Sequence, residues 1–128
     1  MLTFDSFIPG QSFGEATVHV DESLFQRWIS LFPADAECAP RMPEGMAAVV
    51  MMNAYLELVS PRPPGNVHAA QDFNLFSLPR IGQSVRTRVI CKSKEIRNGR
   101  NWIDLETDSR DDTGALLFTG AMRLIWAA

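Results

Sequence analysis

The segment from Met46 to Val59 constrains the fold of this chain more than any other part of its sequence. Its apolar residues do not keep to one side of a helix, and only Asn53 and Glu57 interrupt them. A helix that is apolar nearly all round has no side for water, so other elements of the protein must enclose it. The segment is too short to span a bilayer core of about 30 Å. We therefore expect a helix over about residues 44–59 that is buried in protein.

The elements before this helix are marked by caps and breakers. A strand is predicted over residues 11–20. Asp21 is placed to cap a following amphipathic helix, because its carboxylate can accept backbone N–H groups, and Pro33 ends that helix. Residues 33–43 contain three prolines and are predicted to form a loop without regular structure.

The second half of the chain is predicted to consist of four strands. The first covers residues 67–77 and is followed by a turn at Pro79–Gly82. The next covers residues 84–96 and leads into Asn98-Gly99, a strong hairpin signal. The returning strand alternates apolar and acidic residues over positions 103–108, and the last strand covers residues 115–126. We expect these strands to form an antiparallel meander, each with one buried and one solvated face.

This order of elements predicts an α+β protein with a hot-dog fold, in which a long antiparallel sheet wraps around a central buried helix. A cone-shaped α+β fold with more helix before the sheet is the alternative. The 128 residues are expected to form a single domain, residues 1–128. One sheet does not cover such a helix completely, so we expect a dimer in which two sheets join edge to edge.

Charge and composition exclude several classes of protein. The net charge of −3 gives no indication of a basic surface that would bind nucleic acid. Two cysteines are too few for a disulfide framework, and the N-terminus lacks the basic region and apolar core of a signal peptide. We therefore predict a reduced, cytoplasmic protein that is not inserted in a membrane. No nucleotide-binding loop, metal-ligand spacing or Ser-His-Asp order is recognisable, so no cofactor and no metal are expected.

Three motifs together resemble a known family. They are the opening Phe4-Asp5-Ser6-Phe7-Ile8-Pro9-Gly10-Gln11-Ser12-Phe13, the pair Val20-Asp21-Glu22-Ser23 and Trp28-Ile29-Ser30-Leu31-Phe32, and Phe73 with Leu78-Pro79-Arg80-Ile81-Gly82-Gln83-Ser84-Val85. With these motifs the chain resembles the MaoC-like acyl-thioester hydratases and dehydratases of the hot-dog superfamily over nearly its whole length. The resemblance implies a pocket for an acyl-CoA or acyl-carrier-protein thioester.

The resemblance also implies a catalytic pair that is incomplete here. Asp35 matches the aspartate of the family's hydratases, but Pro40 stands where their histidine falls five residues later. The His-Gly pair that opens the family's central helix appears as Glu44-Gly45.

Each candidate site residue has a functional and a structural interpretation. The Gly45 N–H, at a helix N-terminus, could hold a thioester carbonyl oxygen as it gains negative charge, or the glycine could serve close packing. Glu44 could be a general base for water, or could simply complement the helix dipole. Asp35 could orient water or a proton, or could bond its own backbone. His68 could supply the missing acid or base, or be an ordinary strand histidine.

Three functions follow from these alternatives. The first is an acyl-thioester hydratase/dehydratase-type lyase, with either active or degenerate catalytic residues. The second is an acyl-CoA thioesterase of the same superfamily. The third is a non-catalytic subunit that binds the thioester or pairs with an active homologue, so that the assembly is a homodimer or larger, or a heteromer.

Overall fold

The computed structural model of the chain describes residues 1–128 and has the predicted order of elements. After a short 3₁₀ turn come a strand, two helices and four further strands. In chain order they are β1 (Ser12–His19), α1 (Glu22–Leu31), a second 3₁₀ segment (Pro33–Cys38), α2 (Met46–Leu58), β2 (Val67–Leu75), β3 (Ser84–Arg97), β4 (Arg100–Arg110) and β5 (Leu116–Trp126). The α+β prediction is confirmed.

Helix α1 begins and ends as its capping residues predict. The Asp21 carboxylate accepts a hydrogen bond from the Leu24 N–H at 2.8 Å, and the helix ends before Pro33. The prediction of an irregular loop was wrong for Pro33–Cys38, which forms a 3₁₀ segment. Proline is compatible with the first turn of such a segment, because the N–H that it lacks would have no partner there.

The sheet has five strands in the order β1-β3-β4-β5-β2. Strands β3, β4 and β5 form the predicted meander. Asn98 and Gly99 link β3 to β4 with φ angles of 53° and 73°, as a tight hairpin turn requires.

Strand β2 departs from the predicted meander, because it pairs with β5 and not with β3. The segment after β2 is hydrogen-bonded to the loop before α2. The Met42 N–H donates to the Pro79 carbonyl at 2.8 Å, and the Ile81 N–H donates to the Pro40 carbonyl at 2.8 Å. This segment is therefore a crossing between distant strands that also anchors the loop before α2, and β2 is left as an edge strand.

Helix α2 lies against the sheet with one side buried. The buried side consists of six residues, Met46, Ala47, Val50, Met51, Ala54 and Tyr55. The enclosure of α2 within one chain is partial, as expected for a single sheet, because Val49 and Met52 are only half-buried, Asn53 is exposed and Leu56 is 45% exposed. A single sheet covers one side of a helix. The opposite side of α2 therefore faces α1 near the first turn of α2 and faces solvent further along the helix.

Candidate functional site

The first turn of α2 presents two backbone donors without partners in the chain. The Met46 N–H donates to the Pro43 carbonyl and the Ala47 N–H to the Glu44 carbonyl, but the N–H groups of Glu44 and Gly45 make no hydrogen bond. Free amides at this end of a helix carry the positive end of its dipole. The start of α2 is therefore suited to an oxygen that carries or develops negative charge.

Trp28 explains why residue 45 is a glycine. Gly45 has φ −61° and ψ −24°, which any residue can adopt. A Cβ atom at this position would, however, lie 2.6 Å from Cζ2 of Trp28. The close-packing interpretation of Gly45 is therefore confirmed. It is compatible with a binding role, because the same missing side chain leaves the Gly45 amide uncovered.

The indole of Trp28 also holds Asp35. Its Nε1–H donates to Asp35 Oδ2 at 2.8 Å, and its ring packs on Phe32 with 4.5 Å between ring centroids. Asp35 is half-buried, and its other oxygen, Oδ1, has no partner. The carboxylate is thus bonded to the residue that packs on Gly45 and not to its own backbone. Sequence reasoning assigned Trp28 only to the apolar side of α1, because no local pattern reports a contact with residue 45.

Glu44 projects from the same turn into an open cleft. The cleft has a volume of 340 Å³ and is lined by Arg41, Glu44, Leu75, Phe76, Ser77 and Leu78. The Glu44 side chain is exposed and makes no hydrogen bond or ion pair. The Arg41 side chain has a structural role, since its Nη1 donates a hydrogen bond to the Leu78 carbonyl at 3.0 Å.

An apolar pocket lies between α1 and α2 beside the same turn. Its volume is 170 Å³ and its lining is Leu24, Arg27, Trp28, Leu31, Met46 and Val49. Trp28 packs against Gly45 and Met46 follows it in sequence, so this pocket and the Glu44 cleft both adjoin the start of α2.

His68 is not brought to this turn within one chain. It lies at the beginning of β2, donates from Nε2 to Gln71 Oε1 at 3.0 Å, and lines a different cleft with Tyr55 and Arg62. That cleft is at the other end of α2, and a helix of 13 residues is about 20 Å long. The structure therefore brings Glu44, Gly45 and, through Trp28, Asp35 together, and leaves His68 apart.

Neither a metal centre nor a membrane-spanning helix is present. No group of three or more His, Cys, Asp or Glu side chains is arranged to hold a metal ion. Neither α1 nor α2 has the length and hydropathy needed to cross a bilayer.

The wrapped sheet, the central helix and the cleft at its first turn define a hot-dog fold, which solved structures share. A MaoC-like dehydratase from Rhodospirillum rubrum matches with a TM-score of 0.81 at 14% identity, over 98% of this chain and 97% of that chain. The 3R-hydroxyacyl-ACP dehydratase complex HadBC from Mycobacterium tuberculosis matches with a TM-score of 0.75 at 15% identity, over 92% and 96%. The fluoroacetyl-CoA-specific thioesterase FlK, as an F36A mutant, matches with a TM-score of 0.73 at 15% identity, over 93% and 87%.

The likeness to MaoC-like structures that the sequence motifs indicate is thus confirmed at the level of the fold. No protein-family profile matches the sequence, and none of the curated proteins does.

Proposed function

We propose that this protein binds an acyl-CoA or acyl-carrier-protein thioester at the start of α2 and acts as a MaoC-like hydratase/dehydratase-type lyase. The observation that carries the proposal is the unpartnered Gly45 N–H, which follows Glu44 in sequence and packs against Trp28, the residue that holds the Asp35 carboxylate. Two carboxylates beside a backbone donor supply the groups that addition of water to an enoyl thioester needs.

The thioester carbonyl oxygen would accept a hydrogen bond from the Gly45 N–H. Negative charge develops on that oxygen when water adds to the β-carbon, and a fixed amide at a helix N-terminus stabilises it more in the transition state than in the ground state. The apolar pocket between α1 and α2 would take the first carbons of the acyl chain, since Trp28, Leu31 and Val49 offer it no polar partner.

Hydration then needs one base and one acid. The free Oδ1 of Asp35 would hold the water and take its proton as the water oxygen bonds to the β-carbon. The π electrons move to the carbonyl oxygen, and the α-carbon takes a proton from the Glu44 carboxyl group in its protonated form as the carbonyl re-forms. The proton taken up by Asp35 then returns to Glu44 through solvent, which restores both groups. His68 can be that acid only from a second copy of the chain, because it lies at the far end of α2 in its own.

A thioesterase is the second candidate, and the state of Glu44 favours it. An exposed carboxylate with no partner, next to two free amides, is placed to activate water. The water oxygen would then bond to the carbonyl carbon, the carbon–sulfur bond would break, and the thiol would leave with a proton. A thioesterase among the structures with this fold is consistent with this reading.

The edge strand supports assembly with a second copy. Strand β2 has no partner on its outer side, and Val67, Leu75 and Phe76 are 50%, 38% and 65% exposed. We propose a homodimer joined through β2, or a heteromer with an active homologue, in the cytoplasm.

Two assays test the proposal. Loss of the enoyl-thioester absorbance of crotonyl-CoA reports hydration, and thiol release from a panel of acyl-CoAs reports hydrolysis. Asp35→Asn and Glu44→Gln should each abolish the activity that is found. Glu37→Gln is the matched control, because Glu37 is an exposed glutamate of the same 3₁₀ segment as Asp35 and does not line the Glu44 cleft.

The outcomes separate the three functions. Saturable acyl-CoA binding without turnover identifies the non-catalytic subunit. Full activity in both the Asp35 and the Glu44 variants contradicts the site assignment. Absence of both activity and acyl-CoA binding contradicts the whole proposal.

A further inference from the structure

A second cleft, along the C-terminal half of α2, contains hydrogen-bond donors and is separate from the turn at Gly45 within one chain. It has a volume of 260 Å³, and its polar lining consists of Tyr55, Arg62, Asn66 and His68, without any carboxylate. A cleft with one arginine and several neutral donors, but no acidic side chain, favours a negatively charged ligand.

Asn66 supplies the most specific observation. Its Oδ1 accepts a hydrogen bond from the Ala127 N–H at 2.8 Å, which fixes the orientation of the side-chain amide. Its Nδ2 is buried and has no hydrogen-bond partner, and it is the only side-chain atom of the chain in that condition. A buried donor without an acceptor is costly in a folded protein, so this amide calls for an acceptor that the chain itself does not supply.

Arg62 is fixed in place beside this amide. Its Nη1 donates to the carbonyls of Leu56 and Val59 at 2.9 Å each, which satisfies the end of α2. Its guanidinium lies over the Tyr55 ring, 5.5 Å from the centroid. The Nε–H and Nη2–H groups make no hydrogen bond within the chain, so the charge is held rigidly while part of its fork is free.

Tyr55 adds a donor to the cleft, whereas His68 uses its ring N–H in the hydrogen bond to Gln71. Burial raises the pKa of Tyr55, so its hydroxyl stays protonated and can donate. Gln71 donates from Nε2 to the Asp72 carbonyl and therefore turns its Oε1 toward His68, which places the hydrogen of His68 on Nε2. Neither side chain brings negative charge to the cleft.

We propose that this cleft is a binding site for a small oxyanion, a phosphate or carboxylate group, held by the Asn66 amide and the free N–H groups of Arg62. Its first lining residue on α2 is Met52, about 10 Å along the helix from Gly45, and the anion site does not depend on the proposed activity at that turn. Either a free anion or the phosphate of a larger ligand offers the required oxygens.

The test uses the full chain with inorganic phosphate, succinate and adenosine 3′,5′-bisphosphate as separate probes in ¹⁵N NMR titrations. The side-chain signals of Asn66 and Arg62 should shift saturably. The probe with the highest affinity shows whether the site prefers a free oxyanion or the phosphate of a larger ligand. Asn66→Asp keeps the acceptor for Ala127 and replaces the donor by a carboxylate oxygen, so affinity should fall about tenfold or more.

Asn74→Asp is the matched control. It makes the same change at an exposed position near the other end of β2, and affinity should stay the same within error. The proposal is overturned if Asn66→Asp binds as tightly as the wild type or if the two variants lose affinity equally. It is also overturned if no probe shifts the Asn66 amide of the wild type at about 10 mM, a result that does not require any variant to fold.

Discussion

Replacing Gly45 by alanine tests the packing at the start of α2. The added Cβ would lie 2.6 Å from Cζ2 and 3.0 Å from Cη2 of Trp28, so the ring must retreat by about 1 Å to reach ordinary contact. The indole is a rigid ring that its hydrogen bond to Asp35 and its packing on Phe32 hold in place. Overpacking of this kind costs about 1–3 kcal/mol.

Two further effects set the net magnitude. Alanine gains up to about 1 kcal/mol over glycine at a helical φ and ψ, which Gly45 has. Loss of a hydrogen bond to a carboxylate would add about 1.5–3 kcal/mol if the indole moves far enough to break it. We therefore expect Gly45→Ala to lower the free energy of unfolding by about 0–3 kcal/mol if the bond survives, and by more if it does not.

The assay is urea unfolding followed by circular dichroism, carried out as a double-mutant cycle with Trp28→Phe. Phenylalanine lacks the outer indole ring atoms that meet the new Cβ, so Gly45→Ala should be neutral or stabilising in that background. The reasoning is refuted if Gly45→Ala stabilises the wild type, or if its cost is the same with and without the indole.

Three other changes have defined outcomes. Asp21→Ala removes the cap that accepts the Leu24 N–H and should lower the free energy of unfolding by about 1 kcal/mol, measured by urea unfolding; an unchanged midpoint would contradict the capping role. The hydrogen bond from Arg123 lowers the pKa of Asp104 in the folded protein. The stability that this bond provides is therefore present above the pKa of the carboxyl group in the unfolded chain, and it is lost as the pH falls through the lower pKa of the folded state. Asp104→Asn should therefore weaken the decline in stability on acidification, seen as a smaller difference in melting temperature between neutral and acidic buffer; an identical pH profile would count against it. Leu75→Lys places a charge at the end of the free edge strand and should shift a β2-mediated dimer toward monomer in sedimentation velocity, whereas an undisturbed dimer would exclude this edge as the interface.

The sequence by itself determined the elements and their ends, because the signals for these are local. Asp21 caps α1, Asn98-Gly99 forms the tight turn between β3 and β4, and the apolar run around Met51 forms the helix that the sheet must cover. Each of these follows from residues a few positions apart, which share a helical face, a strand face or a turn. The MaoC-like resemblance of the fold also followed from such short motifs.

Tertiary structure alone decided which strand lies beside which and which side chains meet. The pairing of β2 with β5 depends on contacts between residues some fifty positions apart in sequence, for which neither strand carries a local signal. The bridge from Asp35 through Trp28 to Gly45, the distance of His68 from that turn and the unpartnered amide of Asn66 are equally non-local. Periodicity tells whether a residue faces the core, but only the packed chain determines what it contacts there.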